Sequence, residues 1–329
     1  MFLATRRRLA ACLVVAALLA AIPHPAGALT PSRRRALEGS SYIVAQQRAN
    51  GAICAFSCVG STADAVLALV SARTAPGPVQ QALAYLRRQV ERGAVDGLGL
   101  RAKVAMAAVA GGANPRAFGG VNLVRTITGS EGGGGHYAAA AVFDQALAML
   151  ALQAAGVTPS AAARTWLTSA QCGDGGWQYD EPAGAGDNQH CFDADAPDPG
   201  DFFTSDSNTT ALAIQVLRAG SAVKEGLAFL PTLRDGTAGW GYSQCCTSTD
   251  LNSTALVIQA YVAAGAAVPE DGFATLRRSQ LACGAWPYQP GGVADIGGTI
   301  GAILGILRQP LPVAPRSATA PTPPPEACG

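Results

Sequence analysis

The chain has 329 residues, 49% of them hydrophobic and 14% charged, with a formal net charge of +1. That balance supplies a sizeable core and offers no basic patch of the kind nucleic acid demands, so a nucleic-acid partner is excluded. Alanine and leucine dominate while aromatics make up only 6%, which favours helices packed closely through small side chains.

Residues 1–28 read as a signal peptide. Arg6, Arg7 and Arg8 precede an apolar stretch at 9–22, and Ala26-Gly27-Ala28 supplies the small-residue end. Cleavage is expected after Ala28, which predicts a secreted or cell-surface protein. The apolar stretch is too short for a comfortable membrane span, and no later span is expected. Removing the segment, which carries three arginines and no acid, takes the charge from +1 to −2.

From residue 29 the chain repeats itself. Ile43, Gln47, Gly51 and Ile53 set a frame that returns as Tyr85, Gln89, Gly93 and Val95. It returns again as Leu167, Gln171, Gly175 and Trp177, and as Leu276, Gln280, Gly284 and Trp286, with a degraded copy at Leu230, Arg234, Ala238 and Trp240. An apolar residue and a glutamine four apart share one helix face. The glycine beyond them is expected to end the helix in the left-handed conformation, and the tryptophan to fold back as an apolar wedge.

A second helix follows each frame. DSNTTALAIQ from Asp206 and DLNSTALVIQ from Asp250 nearly superpose; the run from Asp295 and those at 61–70, 100–112 and 142–156 are looser copies. Each starts on an acid or Ser/Thr and continues apolar, the pattern of a capped helix. Helix pairs are thus predicted to start near 37, 79, 121, 160, 221 and 270. Six such hairpins form an open solenoid or a closed ring, and closure removes the exposed ends that a solenoid must cap. The nearly uncharged second helices would line the inside, and the first helices, with Arg87, Arg88, Arg277 and Arg278, the outside. The expected fold is an all-α (α/α)6 toroid over 29–308, followed by a Pro-rich extended tail over 309–329 that lies outside the core.

Eight cysteines follow the signal segment: Cys54, Cys58, Cys172, Cys191, Cys245, Cys246, Cys283 and Cys328. An even count in an exported chain reads as disulfides. Cys54–Cys58 and Cys172–Cys191 are the expected local pairs, with Cys245 or Cys246 reaching Cys283 or elsewhere. Zinc is the rival, but C-x3-C without a second Cys/His pair nearby is a weak zinc signal.

The frame L-x3-Q-x3-G-x-W resembles the QW repeat of squalene and oxidosqualene cyclases. With D-x-N-[ST]-T-A it resembles the prenyltransferase and squalene-cyclase-like (terpenoid cyclase) α/α toroid superfamily across about residues 37–308. The resemblance implies an (α/α)6 barrel with a central cavity. It also implies an acidic D-x-D-D motif whose middle acid protonates the substrate, yet here that place holds Asn208 and Asn252. An amide has no proton to give an alkene, and the paired acids that would raise a pKa are missing too. The prenyltransferases of the superfamily hold zinc with Asp, Cys and His; after the signal segment this chain has only His136 and His190, neither in a matching pattern with Cys and Asp on an inner helix. The thioester stretch of complement-type toroids is absent, and no β domain like that of the cobalamin carriers follows.

Asp206, Asp250 and Asp295 begin their helices. As N-caps they accept backbone N–H groups; as a set they also form a polar rim at one mouth. Trp177, Trp240 and Trp286 with Tyr179, Tyr242 and Tyr288 make a W-x-Y set, read as packing between hairpins or as an aromatic ligand face with both rings on one side. Asp193, Asp195, Asp198 and Asp201 form a weak calcium candidate without EF-hand spacing. The expectation is an exported toroid without catalysis or cofactor. Its ligand set is Asp206, Asn208, Asp250, Asn252, Asp295, Tyr179, Tyr242 and Tyr288. Its partner is an apolar or corrinoid-like small molecule or a surface protein. The alternatives are an enzyme acting on an isoprenoid with Asp206 or Asp250 as acid, and a structural protein-binding module.

Overall fold

The structure, a computed structural model, describes residues 29–137, 140–180, 204–234, 236, 239–324 and 326–328. Twelve α-helices alternate between two roles among the described residues. The first of each pair are α1 (Pro31–Ala45), α3 (Pro76–Glu91), α5 (Leu123–Thr128), α7 (Ala161–Ser169), α9 (Ser221–Phe229) and α11 (Glu270–Ser279). The second are α2 (Cys58–Ser71), α4 (Leu98–Ala110), α6 (Val142–Ala154), α8 (Ser207–Leu217), α10 (Leu251–Ala263) and α12 (Ile296–Ile306). The second helices touch in succession, and α12 returns to α2, so they close an inner ring; α1 packs on α12 across the seam. The fold is the (α/α)6 toroid. In α8 every residue but Asn208 is buried, whereas α11 buries only Gly272, Phe273, Thr275 and Leu276. A helix apolar all round belongs inside, and one with a single apolar stripe belongs on the outer face.

The repeat frame is the fastener between neighbouring hairpins. The side-chain amide of Gln171 donates to the carbonyls of Gly175 (2.7 Å) and Ala222 (2.9 Å), bridging its own turn to α9. Gln47 does the same to Gly51 and to Pro78 of α3, and Gln280 to Gly284 and to Arg35 of α1. Gly51, Gly175 and Gly284 sit at φ of 84–89°, but not at the helix end as expected. They occupy a tight turn beyond it, with Gly175 N donating to Cys172 O and Cys172 N to Gly176 O. Each also presses on the next outer helix: a Cβ on Gly284 would stand 2.7 Å from the Glu38 backbone of α1. Only Gly93 ends a helix in the expected manner, with Ala94 N on Gln89 O and Gly93 N on Val90 O. The Gln89 side chain makes no such bridge among the described residues.

The tryptophans complete the joint. Trp177, Trp240 and Trp286 are all 0% exposed. Their backbone amides donate to Thr210, Thr254 and Thr299 of their own inner helices at 2.9–3.0 Å. Their rings lie over Gly226, Gly272 and Gly39 of the next outer helix, where an added Cβ would come within 2.2–2.9 Å of the indole. A mid-helix glycine costs about 1 kcal/mol in propensity; here it makes room for the indole. Trp177 pairs with Asp206 and Trp286 with Asp295 in two-residue antiparallel bridges, β1 (Trp177–Gln178) with β2 (Ser205–Asp206), and β3 (Trp286–Pro287) with β4 (Ala294–Asp295).

Two expectations need correction. The segment after α12 is not outside the core: Leu311 is 6% and Val313 1% exposed. Leu311 N donates to Gln215 Oε1 at the C-terminal end of α8. Beyond it Thr319 N bonds Arg73 O, and Ser41 bonds Pro323 O, so the strand without helix crosses back over α2 and α1. That return brings Cys328 to Cys283, and these two form the disulfide. The expected link from Cys245 or Cys246 to Cys283 is therefore overturned; both are free and exposed. Cys54–Cys58 is present. Cys172 is disulfide-bonded, while its expected partner Cys191 lies outside the described residues, as do residues 1–28.

Candidate functional site

The N-terminal ends of the inner helices open onto a central cavity of about 310 Å³. Its wall is built by register. Counting from each N-cap, the sixth helical residue is Leu147 in α6, Leu212 in α8 and Leu256 in α10, and all three line the cavity. In α4 the same register holds Lys103. Leu67, Ile300 and Leu304 continue the apolar wall, and Leu311 of the returning strand adds to it.

The mouth is polar. Asn208 and Asn252, at the second position of α8 and α10, both line it. Lys103 Nζ stands 2.7 Å from Asp64 Oδ2 of α2, each side chain about one-third exposed or less (26% and 31%). Asp144 of α6 faces the same lysine: burial raises its pKa, and the Lys103 charge works against that rise. Gly99 leaves the space that the Asp144 carboxylate fills, since a Cβ there would be 2.0 Å from Oδ1. Deeper in, Gln259, the last letter of the second D-x-N-[ST]-T-A-L-x-I-Q copy, lines the cavity at 1% exposure. Its Oε1 is buried without a hydrogen-bond partner.

The three N-terminal aspartates are caps. Asp206 Oδ1 accepts from Thr209 N (2.7 Å) and Oδ2 from the Thr209 hydroxyl (2.8 Å). Asp250 Oδ1 accepts from Ser253 N (2.8 Å), and Asp295 Oδ1 from Gly298 N (2.6 Å). Asp206 is 1% exposed, and burial pushes its carboxyl up to about 7 against the pull of the Thr209 bonds. Burial raises Asp250 too, opposed by the Tyr288 hydroxyl that donates to it. Neither Asp206 nor Asp250 is part of the cavity wall.

The W-x-Y rings do not share a face. Tyr179, Tyr242 and Tyr288 are 36–39% exposed at the rim, whereas the indoles are sealed. Each tyrosine carbonyl accepts from the first turn of the preceding inner helix: Tyr179 from Phe143 N, Tyr242 from Ser207 N and Tyr288 from Leu251 N. Each W-x-Y step thus holds its own inner helix through Trp and the previous one through Tyr. Burial raises all three phenols, with Asp206 adding to Tyr179 and Tyr242, and Asp250 to Tyr288. Tyr288 alone of the three lines the cavity, edge-on to Phe56 with ring centroids 6.3 Å apart.

Asp64, Lys103, Asp144 and Gln259 were missed as site residues. For Asp64, Lys103 and Asp144 the available signal was rarity: they interrupt inner helices that otherwise carry almost no charge; for Gln259 it was its place as the shared last letter of the two D-x-N-[ST]-T-A-L-x-I-Q copies. His136 stacks on Trp166 at 4.1 Å and its Nε2 hydrogen-bonds Ala140 O. Among the described residues no three His, Cys, Asp or Glu side chains gather as a metal site. His190, Asp193, Asp195, Asp198 and Asp201 lie outside the described residues. No described helix is long and apolar enough to cross a membrane.

No family model and no curated protein matches the sequence. Solved structures do. A variant of the type II terpene cyclase MstE from Scytonema, in complex with geranylgeranyl dihydroxybenzoate, superposes with a TM-score of 0.59 at 12% identity, covering 85% of this chain and 99% of that one. An inactive variant of an alpha-1,6-mannanase from Salegentibacter sp. HEL1_6, in complex with alpha-1,6-mannotriose, gives 0.54 at 10% identity over 84% and 98%. A glycosidase gives 0.54 at 15% identity over 86% and 99%. These likenesses establish the toroid scaffold, one that serves terpene cyclases and glycosidases.

Proposed function

We propose that the chain is an exported toroid that holds a small amphipathic molecule in its central cavity without transforming it. One observation carries this reading: carboxamides, Asn208 and Asn252, line the mouth, while the carboxyls beside them in sequence, Asp206 and Asp250, are turned into helix caps. Proton donation to an alkene needs a neutral acid presented to the substrate, and neither aspartate is part of the wall. Asp64 does line it but is held by Lys103.

The cavity describes its ligand. At about 310 Å³ it lies at the small end of ligand sites, which span roughly 300–1,000 Å³, and it is too small to enclose a whole corrinoid. The leucine wall takes an apolar body, the Asp64–Lys103 pair and the two asparagines take a polar end, and Gln259 Oε1 calls for a donor at depth. A buried acceptor left unpaired costs on the order of 1–3 kcal/mol, which a hydroxyl or amine on the ligand recovers.

Native mass spectrometry of the full chain recovered from its own secretion, followed by addition of a medium-chain or monoterpenoid alcohol, tests this. The expected result is a 1:1 adduct, at least tenfold weaker in Leu256→Trp, which fills the cavity, and weakened in Gln259→Leu, which removes the acceptor. Equal binding by wild type and Leu256→Trp would place the ligand elsewhere and end the reading.

A further inference from the structure

Among the described cysteines, Cys245 and Cys246 stand apart. Cys54, Cys58, Cys172, Cys283 and Cys328 are disulfide-bonded, whereas these two neighbours are free and exposed. Their sulfur atoms are 2.7 Å apart, well inside the contact distance of unbonded sulfurs and approaching the covalent length of about 2.05 Å. The backbone holds them there. Tyr242 N donates to Cys246 O (3.0 Å) and Cys246 N to Ser243 O (2.9 Å), closing a tight turn. Gly241 permits it, since a Cβ at that position would stand 2.2 Å from Cys246 O. We propose that Cys245 and Cys246 form a reversible vicinal disulfide, a redox-modification site on the rim turn that carries Tyr242.

The chemistry balances with a small-molecule disulfide such as oxidised glutathione as the electron acceptor. Cys245, as thiolate, attacks one glutathione sulfur; the glutathione S–S bond breaks, and a mixed disulfide forms as one glutathione leaves. Cys246 then gives up its proton and attacks Cys245 Sγ, expelling the second glutathione. Two electrons pass from the pair to the oxidant, one S–S bond replaces another, and two thiols are released. Cys245 is suited to attack first, because hydrogen bonds from Cys246 and Ser243 pull its thiol below the usual range. The reverse reaction is open to external thiols because both sulfurs are exposed, whereas the disulfide-bonded Cys172 is buried at 4% exposure. The turn is also connected to the site's framework: Tyr242 O caps α8 through Ser207 N, one residue before Asn208. This site is independent of what the cavity holds.

The test uses the full chain, alkylated with iodoacetamide in the absence of reductant and digested with trypsin. Cleavage after Arg234 and Arg277 releases residues 235–277, whose only cysteines are Cys245 and Cys246. We expect that peptide unalkylated and two hydrogens lighter than its dithiol form. In glutathione buffers of rising reduced fraction it should take two alkyl groups before Cys172 reacts. Double alkylation that persists after incubation with oxidised glutathione, a cross-link from either cysteine to another peptide, or reduction only together with Cys172 would each overturn the proposal.

Discussion

Replacing Trp286 by alanine is expected to remove about 3–5 kcal/mol of stability, the usual cost of deleting a fully buried indole. The ring is 0% exposed, seats over Gly39 of α1 and donates from Nε1 to Leu276 O at 2.7 Å. It therefore clasps the last hairpin to the first, the joint on which ring closure depends. A comparison with Trp240 separates packing from hydrogen bonding. Trp240 is equally buried, but its Nε1 has no acceptor, because the chain before it turns into a 3-10 segment over Leu230–Leu233. Trp286→Phe should then cost about 1 kcal/mol more than Trp240→Phe. Urea unfolding of the three variants reads this directly; equal losses for the two phenylalanine variants would refute the hydrogen-bond assignment.

The second large effect is a pH dependence centred on Asp206. Burial raises its carboxyl from 3.8 in the open chain to about 7 in the fold. Below pH 4 the group is protonated in both states and its contribution to stability is whole. Between pH 4 and 7 only the folded chain holds the proton, so stability falls as pH rises, by about 1.4 kcal/mol per unit. Above the folded value the loss is complete, on the order of 4 kcal/mol. Asp206→Asn keeps an N-cap acceptor of equal quality and removes the ionisation. The variant should therefore lose that slope and be the more stable protein at pH 8. Melting curves of wild type and variant that stay parallel from pH 4 to 8 would show that Asp206 ionises in the fold as it does in the open chain.

The ring was legible because its fastener is written in the sequence. Gln171, Gly175 and Trp177 each need their identity, for the two carbonyls bridged, the backbone approach and the wedge. One copy escaped notice because its chemistry is substituted. Ile127, Glu131, Gly135 and Tyr137 keep the spacing and stand 42 residues beyond Tyr85, Gln89, Gly93 and Val95. Glu131 accepts from the Ser160 hydroxyl that caps α7, Gly135 presses on Ala162, and Tyr137 is 0% exposed. Gln145 replaces the inner-helix threonine, accepting from Tyr137 N at 2.9 Å. A search on spacing rather than residue type finds it. The partner of the wedge was equally visible: Glu38-Gly39, Glu225-Gly226 and Asp271-Gly272 are acid–glycine pairs inside outer helices.

The cavity's polar mouth was half legible. Asn208 and Asn252 lie in near-identical helices, so comparison of the two copies exposes them. Lys103, Asp64 and Asp144 come from three helices with no common motif, and only the side-by-side packing of α2, α4 and α6 brings them together. The return of the C-terminal strand had no local signal. Pro310 and Pro312 flank Leu311 and suggest an extended linker, yet the decisive contact joins Leu311 to Gln215, 96 residues away.

The central claim is that the cavity holds its guest unchanged. Incubating the full chain with the monoterpenoid alcohol that gives the 1:1 adduct and quantifying recovered material by mass-resolved chromatography tests it most directly. The alcohol should return intact, with no cyclised product above the level seen without protein. Product exceeding the amount of protein, and vanishing in Asp206→Ala or Asp250→Ala, would make the chain an enzyme and contradict the account.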